Sequence, residues 1–310
     1  MGKAKTLSDS KVVSTSLAVS VSDVVLNFIV ALITGSTVMF SQALQGLSDV
    51  TTAGFLYLGV NHARRKPDAG HPFGYGRELF FWVLIAAFFM FIGTGGLSIY
   101  FGWQQLMRPQ PVDQLWLGFS MLTLGFITNA YALSRSFIRL SHGSGRLTWR
   151  GFRHSGMIET KTTFLVDTMG SAAALIGLVS LVIFLLTGDA RFDGLGAVVI
   201  GLSTMTAAIF IMGEVRELIT GRSVSPEIAE QIRRSALSVT GVRAVLDLRT
   251  MNIGATKLLV ILEVHLEDEL NTDHIERIID NVKTAVRETV PTAHRIQVEV
   301  ETPDDELSYL

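Results

Sequence analysis

"FSQALQGLSDVTTAGFLYLG", residues 40–59, is apolar enough to lie in a membrane and still carries a carboxylate at Asp49. Gln45 stands one helical turn before Asp49 and Ser41 one turn before Gln45, so the three side chains share one stripe of a helix. A charged group inside a bilayer is costly, turns toward the protein interior and marks a functional site by default. The stretch therefore predicts a bilayer-spanning helix with a polar face directed inward.

Composition extends that reading to most of the chain. Of its 310 residues 48% are hydrophobic and 17% charged, with a mean hydropathy of +0.41. Soluble domains carry about 25% charged residues, so this is a membrane protein with a soluble part. Residues 1–220 hold long apolar runs separated by basic loops, and residues 221–310 are charged and rich in Glu and Asp. There is no cysteine, which removes disulfides, zinc knuckles and thiolate sites for soft ions. Metal chemistry here has to use Asp, Glu, His, Asn, Gln or hydroxyl ligands.

A helix needs about 20 mainly apolar residues to cross a bilayer. Stretches at roughly 14–35, 38–62, 79–103, 114–134, 162–187 and 192–214 qualify, giving six expected transmembrane helices. The first apolar run is too long for a signal-peptide core, and residues 1–13 before it form a polar N-terminal tail. Lys3, Lys5 and Lys11, then Arg64, Arg65, Lys66 and Arg77, then Arg135, Arg139, Arg146, Arg150, Arg153 and Lys161 all fall on one side, against Arg108 and Arg191 on the other. This bias places both termini in the cytoplasm. No transit segment is visible, so an inner or plasma membrane is expected.

Residues 14–220 then form the transport domain and 221–310 a cytoplasmic domain. In the latter, "SPEIAEQIRRSALSV" has helical periodicity behind a Ser-Pro start, "VRAVLDLRTMN" and "TKLLVILEVHLE" read as strands, "TDHIERIIDNVKTAVRETV" as an amphipathic helix capped by Thr272 or Asp273, and "RIQVEVET" as a last strand. The order α-β-β-α-β, with helices on one face of a small sheet, predicts a ferredoxin-like α+β domain.

A second intramembrane carboxylate, Asp167, lies in "ETKTTFLVDTMGS", where Glu159, Thr163, Asp167 and Ser171 follow one helical stripe. Asn27 and Asn129 add single polar groups at membrane depth. Two carboxylates, an amide oxygen and a hydroxyl from two helices suit a divalent cation, whose charge offsets the repulsion between the acids. The opposing reading is an Asp that only hydrogen-bonds between helices. It is weakened by the repetition, since each Asp has a polar residue one turn before it.

These residues resemble the cation diffusion facilitator family along nearly the whole chain. The resemblance is carried by "RRKPDAGHPFGYGRELFF" (64–81), by "LQGLSDV" in the second span, and by "FDGLGAVVIGL" and "ELITGRSVSPE" around the sixth. The threonine-bearing fifth span and the "LITGRSVSPE" junction look closest to the branch of mitochondrial zinc-transporter-like proteins and their bacterial relatives. The resemblance implies a homodimer of six-helix protomers that exports divalent ions such as Zn²⁺, Mn²⁺, Fe²⁺ or Co²⁺ from the cytoplasm in exchange for protons. It also implies a transport site at Gln45, Asp49, Thr163 and Asp167, because family members carry His or Asp four residues before Asp in spans two and five.

Both Asp positions match that pattern and both first positions depart from it. Imidazole favours Zn²⁺ and Cu²⁺, whereas oxygen ligands suit harder ions such as Mn²⁺ or Mg²⁺, so an all-oxygen set does not impose zinc selectivity. Gln and Thr do not titrate, which leaves exchanged protons to Asp49 and Asp167. The family's loop site is reduced here to Asp68 and His71, with Tyr75 where some members have His, and two ligands hold a divalent ion poorly. Pro72, Phe73, Gly74 and Gly76 are expected to form a tight turn, with Arg77 and Glu78 placed to pair with Glu214 or Glu217.

In the cytoplasmic domain Leu246 and Glu299 stand at positions often occupied by His. His265, His274, Glu299, Glu301 and Asp247 are the remaining candidates for a regulatory metal. His142, His154 and the nearby arginines are expected in a loop close to anionic headgroups.

Competing readings are a transport-weak metal sensor or heteromeric partner, and a Na⁺/proton antiporter, which an oxygen-only site also suits. No phosphate loop, nucleophile elbow or metalloprotease helix is present, so an enzyme is not expected. Nor is a prosthetic group or a nucleic-acid partner; the expected partners are the ion, the bilayer and a second copy of the chain.

Overall fold

The computed structural model describes residues 21–143 and 158–302, with side chains described at 21–138 and 162–302. The N-terminal tail with its lysines, the start of the first span, Arg146, Arg150, Arg153 and His154 lie outside these residues, as do the side chains of Arg139, His142, Glu159 and Lys161.

Six long helices come first. They are α1 (Val21–Thr34), α2 (Thr37–Ala63), α3 (Glu78–Met107), α4 (Leu115–Gly143), α5 (Ile158–Thr187) and α6 (Arg191–Ile219). Among the described residues four helices are long and apolar enough to cross a membrane, namely α3, α4, α5 and α6. Only 14 residues of α1 are described, and α2 is 27 residues long but less apolar. The physical cause in α2 is its inward face, where Ser41, Gln42, Gln45, Ser48 and Thr52 are all buried.

The breaks between helices have local causes. Gly35 adopts φ +67°, a left-handed conformation that glycine enters without a Cβ penalty, and its amide bonds to the Ala31 carbonyl. Gly188, at φ +70°, closes α5 in the same way on Phe184. The run Arg108–Gln114, with Pro109 and Pro111, ends α3. Within α3, Phe89–Gly96 is a π-helical stretch that contains Gly93, Gly95 and Gly96.

The chain divides into two compact units. The first takes residues 21–59, 81–143 and 159–215 of those described, and the second takes 60–80 and 216–302. In the first, Val30, Ala31, Val38, Met39, Leu122, Ala173, Leu181 and Ile200 form a buried cluster contributed by five helices. Large apolar side chains such as Leu32, Ile92, Trp116, Leu186 and Phe210 face outward. Helices with internally satisfied backbones and an apolar exterior are what a bilayer requires.

Helix-to-helix spacing in this unit is set by glycine. A Cβ on Gly102 in α3 would lie 2.7 Å from the Gly194 carbonyl oxygen in α6, and one on Gly194 would lie 2.8 Å from the Gly102 carbonyl oxygen. At the same end of α6, Asp193 is fully buried and binds the first turn of α2. Its carboxylate accepts from the Ser36 hydroxyl (2.5 Å), the Thr37 amide and hydroxyl (both 2.6 Å) and the Val38 amide (3.3 Å). It thereby caps the orphan amides at the start of the helix that carries Gln45 and Asp49.

The second unit contains α7 (Pro226–Leu237), β1 (Val242–Gly254), β2 (Lys257–Leu266), α8 (Thr272–Thr289) and β3 (Ala293–Val300). The sheet order is β1-β2-β3, with β1 antiparallel and β3 parallel to the central β2. A parallel neighbour needs a crossover, and α8 supplies it. Strand β2 alternates cleanly, burying Leu258, Val260, Leu262, Val264 and Leu266. Ile278, Val282 and Val286 on α8 and Ile232 and Ala236 on α7 close over that face. Burying side chains of this size stabilises by about 1.5–3 kcal/mol each.

Ser225 caps α7 with Pro226 behind it, as its sequence suggests. The cap of α8 is different from the expectation of Thr272 or Asp273: Asn271 is the N-cap, and its side chain accepts from the His274 amide at 2.9 Å. Three capping residue types in a row leave the choice to the preceding chain's path.

Candidate metal site

The polar stripe of α2 is fixed from two directions. Gln45 is 1% exposed; its amide nitrogen donates to Asp49 Oδ1 at 3.1 Å, and its Oε1 accepts from the Thr204 hydroxyl of α6, also at 3.1 Å. Thr94, in the π-helical stretch of α3, donates to the Leu44 carbonyl at 3.2 Å. Asp49 is therefore held by the amide one turn behind it, and that amide is held in turn by another helix.

On α5, Asp167 accepts a short hydrogen bond from Ser136 of α4. Thr163 is half-buried one turn before it. Ser171, expected on the same polar stripe, gives its hydroxyl proton to the Asp167 backbone carbonyl at 3.0 Å, which spends it inside the helix. Asn129 of α4 lies against Gly170, where a Cβ would come within 2.9 Å of its Oδ1.

The two carboxylates interact. The charge of Asp167 acts on Asp49, and so does that of Asp23 on α1. Like charges in a low-dielectric interior repel strongly, and a bound cation relieves that repulsion. Gln45 and Asp49 are in direct contact, and Asp167 is within electrostatic reach of them. Among the described residues no three of His, Asp and Glu gather closely enough to hold an ion, so a cation here depends on amide and hydroxyl oxygens beside the acids.

Three residues at this site were not foreseen. Asn27 donates to the Asp23 backbone carbonyl at 2.9 Å, at the same i, i+4 spacing as Gln45 and Asp49, so the signal of an acid near a polar residue was present in the sequence. Ser136 and Thr204 carry no such signal, because their partners lie on other helices.

The other candidates are dispersed. Asp68 accepts from the Gly70 amide (3.0 Å), the His71 amide (2.7 Å) and the Tyr75 hydroxyl (2.6 Å), while His71 Nδ1 stands 3.6 Å from it. These contacts form a closed turn, with the His71 and Tyr75 rings 4.2 Å apart and Arg65 over the Tyr75 ring. Arg77 donates to the Ile219 carbonyl at the end of α6, and Glu217 pairs with Arg222 at 2.9 Å. A cation at a helix C-terminus meets the negative end of its dipole.

In the sheet, His265 Nδ1 lies 3.3 Å from the Glu301 backbone oxygen, Glu299 accepts from Gln297 at 2.7 Å, and Asp247 pairs with Arg249 at 2.6 Å. His274 sits in the first turn of α8.

Residues 13–219 match the cation efflux transmembrane domain, and residues 224–303 match the cytoplasmic domain of cation efflux proteins. The proton-coupled zinc antiporter SLC30A9, mitochondrial, of Xenopus laevis is 29% identical over 270 residues, covering 85% of this chain and 48% of that protein. The mouse protein of the same name is 26% identical over 265 residues, covering 84% and 47%. The zinc transporter ZitB of Escherichia coli is 26% identical over 255 residues, covering 81% and 74%. The chain thus spans about half the length of the antiporters it matches. Among solved structures, a MamM CTD in a nickel form covers 26% of this chain and all of its own at 21% identity, with a TM-score of 0.24.

Proposed function

Since the chain belongs to the cation efflux family, the cation diffusion facilitators, we propose that it is a secondary transporter that exports a divalent cation from the cytoplasm in exchange for protons. The observation that carries this reading is the pair of carboxylates Asp49 and Asp167 inside the apolar unit, each held by a polar neighbour, Gln45 and Ser136. Zinc is the cargo named in several relatives and is the first ion to test.

In this reading residues 14–220 cross the bilayer six times and 221–310 form a cytoplasmic ferredoxin-like domain that dimerises. Gln45, Asp49, Thr163 and Asp167 make up the transport site. Asp49 and Asp167 bind the cation and give up their protons to water as it binds, so cargo and protons exchange at one place. The turn at Asp68 and His71 is structural, because its acceptors are already engaged by backbone and Tyr75.

The test is flux into liposomes that contain a pH dye, challenged with Zn²⁺, Mn²⁺, Fe²⁺, Co²⁺, Mg²⁺ and Na⁺. A proton signal with divalent ions that disappears in D49N and in D167N is expected. Q45H keeps activity and moves preference toward zinc over manganese, because imidazole is the softer ligand. Flux that survives in both Asp variants removes the site. A response to Na⁺ alone supports the monovalent antiporter, a reading favoured by the imidazole-free donor set, and no flux at all supports a sensor or partner role.

A further inference from the structure

We propose that Gln45 and Thr204 form a two-position amide switch, in which Thr204 on α6 is a positioning residue that lets Gln45 act as a donor to bare Asp49 and as an oxygen ligand to a bound cation; this rests on the reading of Gln45 and Asp49 as part of the transport site. Gln45 and Thr204 are each 1% exposed, so neither end of the amide reaches water and both require a protein partner. In the structure the amide nitrogen faces Asp49 at 3.1 Å and the amide oxygen faces the Thr204 hydroxyl at 3.1 Å. That orientation suits a carboxylate, which only accepts.

The same Thr204 hydroxyl lies 3.0 Å from the Ile200 carbonyl oxygen, one turn earlier in its own helix. It therefore has a second acceptor for its single proton. If the amide turns by half a revolution about its terminal torsion, which is soft and roughly two-fold, its oxygen faces Asp49 and its nitrogen faces Thr204. Thr204 then accepts from that nitrogen and gives its proton to Ile200. Every polar group stays paired in both positions, and the backbone does not move.

A cation seated on Asp49 repels the amide nitrogen and attracts the amide oxygen, which selects the second position. A ligand contributed in this way is present only while cargo is bound. Thr204 is required because a buried donor left without a partner is tolerated less well than a buried carbonyl. Without its hydroxyl the second position strands the amide nitrogen, whereas the first strands only the oxygen.

The test is calorimetric titration of the full chain in lipid nanodiscs with Zn²⁺ and with Mn²⁺. T204V replaces the hydroxyl by a methyl group of similar size, leaves no room for a substitute water, and weakens binding by about tenfold. T204S, which keeps the hydroxyl, recovers most of that loss. In a Q45L background T204V produces no further loss, because Thr204 acts only through Gln45. Unchanged affinity in T204V, an equal loss in T204S, or a T204V loss that persists in Q45L overturns the switch and leaves Thr204 as packing. D49N is titrated in parallel: if it binds Zn²⁺ as tightly as the native chain, the site itself is misplaced, and that outcome is separate from those of the Thr204 variants.

Discussion

Asp68 illustrates how much a single turn residue can be asked to satisfy. The Tyr75 hydroxyl, followed by the His71 amide, holds its carboxyl below the usual carboxylate range, and the same bond raises the Tyr75 phenol. A lowered acid stabilises the turn above its unfolded value and loses that contribution as pH falls through the folded value. A raised phenol contributes below its unfolded value and loses it as pH rises through the folded value. The turn is thus held across the neutral range and opens at both extremes. In Y75F it should open at a less acidic pH than in the native chain, measured as exchange of the Gly70 and His71 amides after correction for intrinsic rates. At this scale Gln45, Asp49 and Asp167 were legible because a polar residue one turn from an intramembrane acid is a local pattern. Thr204 and Ser136 were not, since an exposed-looking hydroxyl in an apolar helix acquires meaning only from a distant partner.

Helix positions and types were legible in the hydrophobic runs, and the second strand's alternation predicted its buried face. The ends were less so. The third span continues to Met107 rather than 103, and α4 runs well past 134, because polar residues beyond the apolar run still prolong a helix at the membrane surface. The π-helical stretch had no sequence signature beyond its glycines, since a widened turn is selected by what packs on it. Glycine carries the packing of α3 on α6. G102A places a methyl group 2.7 Å from the Gly194 oxygen and 2.9 Å from the Val198 amide nitrogen, so the helices must separate. It should destabilise by about 1–3 kcal/mol. Nothing lies within 4 Å of a Cβ at Gly54, so G54A should be neutral or stabilise by up to about 1 kcal/mol. Thermal unfolding of the two variants in one detergent compares them directly.

For the whole molecule, the division into an apolar part and a charged tail was written in composition, and the distribution of Lys and Arg predicts an orientation with both termini in the cytoplasm. The absence of cysteine makes that orientation easy to test, because any introduced thiol is unique. E288C on α8 should react with an impermeant maleimide only from the cytoplasmic face, and Q110C between α3 and α4 only from the opposite face. Labelling of both from one side would overturn the positive-inside assignment. The grouping of residues 60–80 with the second unit carries no sequence signal. It arises from backbone approach: a Cβ on Gly254 would lie 3.2 Å from Gly76, a proximity that no residue pattern announces.

That grouping bears on how the two parts can be exchanged between relatives. The segment that joins α2 to α3 is folded into the second unit, so the tail cannot be treated as a module hung from one linker after α6. A graft cut only near residue 220 would leave a foreign sheet against the native 60–80 segment and its Gly76 seam. A workable chimera has to carry both pieces together, with joints placed inside α2 and α3.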